Sequence, residues 1–399
     1  MTIPLIITIC VLLILAYVFD ITSSKTKIPS VILLLLLGWT VGQISNRFEI
    51  PIPNLNPILP ISGTVGLILI VLEGSLELEL NKSKYSFVGR ASLIAFLPML
   101  LFSFGLAFAF QYFGNTTFKI GLANSIPFAI ISSAIAIPST QNLISKDKEF
   151  ITYESSLSDI FGVIFFNFIT LNDNIGTKSV GYFLLEIIVI LLISFISTVA
   201  LAFLLSKIKH HVKFAPIILT VVLTYAVSKI YHLPALIFIL LFGLFLGNLD
   251  EIKHNKFIQR LKPDILNGEV HKFKELTAEI AFLVRSLFFL LFGYLIQSSE
   301  ILNVETIGWA LCITISIFII RLLFLKLFKL PLKPLLFIAP RGLITILLFL
   351  TIPISQNIEI ANKSLVIQVI ILTAILMMFG LMTNNKNEVK NDDKSPLNV

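Results

Sequence analysis

Long runs of apolar residues, separated by short polar segments, form the main pattern of this 399-residue chain. Most runs approach the roughly 20 residues that an α-helix needs to cross the ~30 Å hydrocarbon core of a membrane. Hydropathy predicts thirteen transmembrane helices, at about 3–19, 28–45, 61–80, 89–112, 119–140, 151–171, 180–206, 212–230, 233–249, 276–297, 303–326, 332–354 and 364–383. The alternating segments of about ten residues that are typical of an outer-membrane barrel do not occur. The predicted fold class is an all-α polytopic membrane protein.

Composition supports the same fold class. Apolar residues make up 56% of the chain and charged residues only 13%, and the mean hydropathy is +0.95. A soluble domain could not bury that much apolar surface. Both cysteines, Cys10 and Cys312, lie within apolar runs, so neither a disulfide nor a metal framework is predicted. The first run lacks a basic leader and a small-residue cleavage site, so we interpret it as a span rather than a signal peptide.

The net charge of +7 would suggest a nucleic-acid partner in a soluble protein. In a membrane protein, the distribution of Lys and Arg among the loops instead indicates the orientation in the membrane. With the N-terminus outside, the inner segments hold 22 of the 30 Lys and Arg residues and the outer segments hold five. We therefore expect a cytoplasmic (inner) membrane protein with its N-terminus outside, its C-terminus in the cytoplasm and no nucleic-acid partner. The remaining three, Arg285, Arg321 and Arg341, fall within predicted spans.

One membrane domain is expected over 1–384, followed by a short cytoplasmic tail at 385–399. A polar loop at about 250–275 is predicted to connect two halves. Since spans 1 and 8 begin on opposite sides, spans 1–6 and 8–13 could be inverted six-helix repeats. Span 5 contains Pro127 and Pro138, and span 12 contains Pro340 and Pro353, so the fifth span of each half is predicted to be interrupted. Interrupted helices leave carbonyls and helix ends free for an ion site.

The strongest candidate chemistry lies at 153–166, where two carboxylates and three hydroxyls precede an apolar run. On a helix, Ser155 and Asp159 share one face, and Glu154 and Ser158 share an adjacent one. An unpartnered charge is costly at membrane depth, so Asp159 is predicted to be protonated, hydrated or bound to a cation. We interpret Asp159 as a site that a proton and a metal ion share. The alternative is an Asp that satisfies a kinked helix.

Other charges within the spans have less distinct roles. Glu73 in span 3 is either a second carboxylate near the ion or a residue of the cytoplasmic interface. Arg285 in span 10 keeps its proton and must pair, and Glu154 is the candidate of the right sign, although direct contact with substrate is the alternative. Arg341, at the predicted break in span 12, could offset the helix ends there. Arg321 lies near the inner end of span 11, and no function is assigned because it can snorkel.

Six segments add a family resemblance: 28–33 with Gly38 and Gly42, 66–78, 132–137, 154–159, 284–289 and 339–343. In this order they resemble the monovalent cation/proton antiporter superfamily, the sodium/hydrogen exchanger-like membrane domain. Glu-Ser-Ser-Leu-Ser-Asp at 154–159 is similar to the Glu-Ser-x-x-Asn-Asp motif of its electroneutral branch. Two departures occur: Ser158 stands where the family has Asn or Asp, and Ser133-Ala134 replaces an Asp-Pro pair.

The resemblance implies a site as well as a fold. It implies two crossed, discontinuous helices in spans 5 and 12, with a discontinuous region that contains Ser133, Pro138, Pro340 and Arg341. The ion- and proton-binding residues that it implies are Asp159, Ser155, Glu73 and Ser132, of which the first three would bind the metal ion. Glu154 and Arg285 would form a structural ion pair.

The predicted function is secondary antiport of a monovalent cation, Na⁺ first with K⁺ or Li⁺ as alternatives, against H⁺ by alternating access. The exchange is expected to be electroneutral. The expected partners are the two ions, membrane lipid and a second copy of the chain in a homodimer, and no cofactor is expected. Two other functions stay open at this point: a channel-like cation pathway and a non-transporting polytopic membrane enzyme.

Overall fold

The computed structural model describes residues 2–49, 55, 57–78, 84–141, 143–172, 176–207, 214–231, 233–252 and 263–383. All regular secondary structure in these ranges is helical, which confirms the predicted all-α fold class. The helices of seven or more residues are, in chain order, α1 (Thr2–Thr26), α2 (Ser30–Arg47), α3 (Ile58–Glu77), α4 (Tyr85–Phe113), α5 (Phe118–Ala129), α6 (Ser133–Ser139), α7 (Ser145–Leu171), α8 (Thr177–Lys207), α9 (Phe214–Ile230), α10 (Leu236–Gly247), α11 (Pro263–Tyr294), α12 (Val304–Leu327), α13 (Leu343–Thr351) and α14 (Lys363–Thr383). Short helical turns lie at Leu249–Ile252, Ser298–Ile301, Leu335–Phe337 and Ile354–Gln356.

Nine helical segments among the described residues are long and apolar enough to cross a membrane, with α5 and α6 counted together. Helices α9 and α10 are apolar but shorter, with 17 and 12 residues. Each of the thirteen intervals predicted from hydropathy contains helix. The arrangement of these helices as inverted six-helix repeats stays a prediction, as does the division into a domain at 1–384 and a tail. The tail at 385–399 lies outside the described residues.

The helices pack as two groups. In the first, here called the scaffold (α1–α3 and α8–α11), α11 packs along α2 and α3, and α10 packs along α3 and α8. In the second, here called the bundle (α4–α7 and α12–α14), α4 packs against α5 and α7, and α12 packs against α4 and α14. Helix α3 meets the bundle closely, since a Cβ atom at Gly74 would lie 3.0 Å from Ser156 Oγ of α7.

Glycines allow α2 and α11 to cross closely in the scaffold. A Cβ atom at Gly38 of α2 would lie 2.2 Å from the Leu290 carbonyl oxygen, and one at Gly293 of α11 would lie 2.4 Å from the Leu35 carbonyl oxygen. Helices in a membrane gain little from the hydrophobic effect, so they associate through close backbone packing at such small residues. The α2–α11 crossing therefore gives the scaffold a tightly packed centre.

The prediction of a polar loop at about 250–275 is partly wrong. Helix α11 begins at Pro263 and continues to Tyr294, so the end of the predicted loop is the polar extension of a transmembrane helix. Val270 and Phe273 on this extension are buried. Residues 263–275 contain only four large apolar residues, Ile265, Leu266, Val270 and Phe273, so hydropathy does not reveal a helix there. Residues 253–262 lie outside the described residues.

Candidate ion-binding site

Two interrupted helices cross in the bundle. Helix α5 ends at Ala129 and α6 begins at Ser133, and the backbone between them is extended. In the second, residues 338–342 separate the turn Leu335–Phe337 from α13, as expected because Pro340 lacks an amide hydrogen and disfavours helix at the residue before it. The Ser132 amide donates a hydrogen bond to the Pro340 carbonyl at 2.9 Å. This bond joins the two breaks directly.

The prolines of span 5 do not form its break. Pro127 lies inside α5 and Pro138 lies inside α6, on either side of the extended segment. The backbone amide of Ile131, which the break leaves without a helical partner, donates to Ser158 Oγ at 3.0 Å. Ser158 thus satisfies the break from the neighbouring helix α7, a role that periodicity alone did not reveal.

Arg341 supplies hydrogen bonds to the carbonyls that the breaks expose. Its side chain is buried, and its Nε donates to the Phe128 carbonyl at 2.7 Å and its Nη2 to the Ala129 carbonyl at 3.2 Å. Its Nη1 donates to the Ala339 carbonyl at 2.7 Å. Phe128 and Ala129 end α5, where free carbonyls carry the partial negative charge of a helix C-terminus. The guanidinium therefore stabilises the broken end of α5 and links it to the second interrupted helix.

Asp159 lies on α7 beside the break of the first interrupted helix, and only 1% of the residue is exposed. Its Oδ2 accepts a hydrogen bond from Ser133 Oγ. Among the described residues, its Oδ1 has no hydrogen-bond partner, and neither do the buried hydroxyls of Ser132 and Ser156. No basic side chain of the described chain forms an ion pair with Asp159 within 4.0 Å. The carboxylate thus keeps free lone pairs next to hydroxyl oxygens.

Ser155 lies one turn before Asp159 on the same face of α7. Its hydroxyl donates to the Ile151 carbonyl at 2.7 Å and is buried, which leaves its oxygen lone pairs as acceptors. This geometry is compatible with the predicted role of Ser155 as an ion ligand, and that role stays a prediction.

Glu73 lies on the scaffold helix α3, and the structure does not bring it to Asp159. The charges that act on Glu73 are Arg285, Glu77, Asp20 and Lys274, on helices α11, α3 and α1. In the part of the chain that the structure describes, no hydrogen bond or ion pair joins Glu73 to Asp159. The predicted role of Glu73 as an ion ligand therefore stays a prediction.

The buried ion pair contains Arg321 in place of Arg285. The Arg321 Nη1 and Nη2 atoms lie 2.5 and 2.9 Å from the two carboxylate oxygens of Glu154, and both side chains are at most 5% exposed. The Arg321 Nε donates to the Leu335 carbonyl at 2.8 Å. The predicted pair of Glu154 with Arg285 is wrong because α7 and α12 both belong to the bundle, whereas α11, which carries Arg285, packs within the scaffold.

Depth in the membrane is the signal that could have identified this pair. Glu154 lies near the inner end of span 6, and Arg321 lies near the inner end of span 11, so the two are at similar depths. Arg285 lies about ten residues into its span. Arg321 was expected to snorkel because a basic residue near a helix end usually can. The packing of α12 on the bundle prevents this.

A buried carboxylate with an unpartnered oxygen at the crossing of two interrupted helices is typical of secondary membrane transporters. The described residues contain no group of three or more His, Cys, Asp or Glu side chains that could hold a metal ion. The oxygen atoms described next to Asp159 are instead serine hydroxyls. Fold and site together define the class of protein as a polytopic membrane transporter.

Comparison with known proteins identifies the family. The family described as sodium/hydrogen exchanger, transmembrane, matches residues 9–384, and the chain belongs to this family. It is therefore a transporter of the cation/proton antiporter type and not an enzyme, which removes one of the two alternative functions. A comparison with curated protein sequences finds no match for this chain.

Solved structures show the same fold. The chain is similar to the sodium proton antiporter MjNhaP1 from Methanocaldococcus jannaschii at pH 8, with 21% identity and a TM-score of 0.69 over 95% of this chain and all of that one. An electron-microscopy structure of MjNhaP1 is similar at 21% identity and a TM-score of 0.67, over 96% of this chain and 95% of that one. At this identity the likeness shows the fold alone.

We predict that Glu154 and Arg321 are energetically coupled. Arg321→Gln leaves a buried, unpaired carboxylate, which should lower the free energy of unfolding by about 3–5 kcal/mol. Melting temperatures of the purified protein in detergent would be measured for Arg321→Gln, Glu154→Gln and the double variant. The double variant should lose less stability than the sum of the single losses.

The matched control for this prediction is a second cycle with Glu154→Gln and Arg285→Gln. Because Arg285 lies in the scaffold, its loss should add to that of Glu154 without coupling. Additive losses in the cycle with Arg321, or coupling only in the cycle with Arg285, would contradict the observed pairing.

Proposed function

We propose that this protein exchanges Na⁺ for H⁺ across the cytoplasmic membrane and that Asp159 carries the two ions in turn. The observation that carries the proposal is the buried Asp159 carboxylate, which has one unpartnered oxygen and no paired base among the described residues. A charged carboxylate in such a place is costly unless a proton or a cation neutralises it. Proton and cation therefore exclude one another at Asp159, and this exclusion couples their movements.

The donor set favours a monovalent cation. One carboxylate balances one positive charge. The side-chain oxygens within one turn of Asp159 on α7 and at the break are neutral hydroxyls, those of Ser132, Ser133, Ser155, Ser156 and Ser158. The carbonyls of Ile130 and Ile131 in the break can complete the coordination. Na⁺ is proposed over K⁺ and Li⁺ because the family description names sodium, and the related MjNhaP1 is called a sodium proton antiporter.

Alternating access would come from movement of the bundle against the scaffold. Asp159 and both interrupted helices lie in the bundle, whereas the tight α2–α11 crossing makes the scaffold the static part. On α3, Gly74 approaches Ser156 of the bundle, and Glu73 is the residue before Gly74 in the chain. We therefore propose that Glu73 acts on the ion only when the bundle moves. We also propose that two copies of the chain form a homodimer through their scaffolds. The proposed orientation places the N-terminus outside and the C-terminus in the cytoplasm.

The stoichiometry follows from the groups that can change charge at the site. Ser158, next to Asp159, cannot titrate, and the arginines of the bundle, Arg321 and Arg341, retain their protons. Asp159 is left as the single carrier beside the break. We propose one proton per cation and no net movement of charge.

We predict that Asp159→Asn abolishes exchange. The amide is nearly the same size but can neither bind a proton reversibly nor neutralise a cation. Purified protein in liposomes with an imposed pH gradient, read by a pH-sensitive dye, should dissipate the gradient on addition of Na⁺, and the variant should not. The control is Glu305→Gln, since Glu305 is an exposed carboxylate in the first turn of α12.

Two results would count against the assignment of Asp159. Collapse of the pH gradient by Asp159→Asn on addition of Na⁺ would mean that another group carries the proton. Na⁺ flux without any proton movement in the native protein would instead support a passive cation pathway.

We also predict that the exchange is electroneutral. Liposomes with the protein, a Na⁺ gradient and a membrane potential set by K⁺ and valinomycin should show the same initial rate of exchange at either sign of the potential. A control without the protein corrects for leak. A Na⁺-driven current, or a rate that changes with the sign of the potential, would mean that a second titrating group such as Glu73 also carries a proton.

A further inference from the structure

A second site of interest is a cavity of about 300 Å³ between α3 and α9, away from the crossing of the interrupted helices. Its walls are mostly apolar and include Val65, Ile68, Val222 and Ile230. This volume is at the lower end of the range for small-molecule sites. Ile230 is exposed, so the cavity is an open groove on the outside of the scaffold.

Three side chains with hydrogen-bond donors also line the groove: Thr64, Tyr225 and Lys229. Tyr225 is only 6% exposed, yet within the described part of the chain its hydroxyl forms no hydrogen bond. Thr64 and Lys229 likewise have no hydrogen bond or ion pair to a described residue. A buried tyrosine hydroxyl usually has a partner. The three donors therefore indicate a ligand with acceptor oxygens and negative charge.

The depth of these residues fits a membrane lipid. Helix α3 begins at Ile58 and α9 ends at Ile230, so Thr64 and Lys229 lie towards the same face of the membrane. Lys229 is in the last turn of α9, where a lysine reaches the headgroup level. Ile68 and Val222 lie one to two turns deeper along their helices, at the level of acyl chains.

We propose that the groove between α3 and α9 binds one acidic phospholipid. Its phosphate accepts hydrogen bonds from Lys229 and Tyr225, and one acyl chain lies along the apolar wall. A lysine near the membrane surface attracts an anionic headgroup electrostatically. The apolar face of a second copy of the chain would fill the groove but leave the three donors unpaired, at the cost of desolvating them.

The test measures binding of defined lipids to the delipidated, purified full chain in detergent. Mixed micelles with increasing dioleoyl phosphatidylglycerol should raise the melting temperature in a saturable way, and the same amounts of dioleoyl phosphatidylcholine should not. Lys229→Gln should weaken the apparent affinity for phosphatidylglycerol about fivefold. Lys229→Arg should retain it, which shows that the charge is needed and that the fold tolerates substitution at this position.

Two further variants separate a built site from general attraction. Lys326→Gln is the matched control because Lys326 is also exposed in the last turn of a transmembrane helix, α12, but lies outside the groove. It should bind phosphatidylglycerol as the native protein does. Ala226→Phe keeps Lys229 but fills the groove that Ala226 lines, so it should also lose the saturable rise.

Four outcomes would overturn the proposal. The first two are an equal rise in melting temperature with phosphatidylglycerol and phosphatidylcholine, and an equal loss of affinity for phosphatidylglycerol in Lys326→Gln and Lys229→Gln. The third is that inorganic phosphate without lipid raises the melting temperature as much as phosphatidylglycerol does. The fourth is that the melting temperature rises only when mass photometry shows that dimers have formed. The readout does not use transport, so a failure of the antiport proposal would leave this result unchanged.

Discussion

A carboxylate that is buried in an apolar solvent without a fixed positive partner cannot stay both charged and empty. Asp159 is such a group: it is almost fully buried, one oxygen is bonded by Ser133, and the other is without a partner among the described residues. The free energy that penalises the empty, charged state is what makes a proton and a cation compete for one place. We therefore propose that the burial of Asp159 couples the movement of the proton to that of the cation. The rest of the bundle holds Asp159 at the crossing of the two interrupted helices.

Three other buried charged side chains of the bundle, Glu154, Arg321 and Arg341, have partners within the protein, and this distinguishes them from Asp159. Glu154 is held by both terminal nitrogens of Arg321, and Arg341 is bound to three carbonyls around the breaks. Removal of one partner of a buried pair is costly because it leaves an uncompensated charge. These arginines therefore fix the geometry of the interrupted helices. Asp159, which has no compensating charge among the described residues, remains free to change its occupant.

The parts of this arrangement that could be predicted from the sequence are those set by local pattern. Apolar runs indicated the helices, and an isolated acid at membrane depth indicated Asp159. The partner of Glu154 could not be read in this way, because which arginine it meets depends on the packing of α12 on the bundle and of α11 on the scaffold. The role of Ser158 depends on where the backbone of span 5 opens, and the prolines of that span flank the opening without marking it. The position of Glu73 relative to Asp159 could not be predicted either, because it depends on how the scaffold packs against the bundle.

The most direct test of the account counts the protons that Na⁺ displaces from the protein. Purified protein in weakly buffered detergent solution would be titrated with NaCl while a pH-sensitive dye reports proton release, and calorimetry would report Na⁺ bound, with choline chloride as the control for ionic strength. At a pH where the site is protonated, the account predicts that release approaches one proton per bound Na⁺ and disappears in Asp159→Asn. Na⁺ binding without proton release, or full release by Asp159→Asn, would contradict the claim that both ions share Asp159.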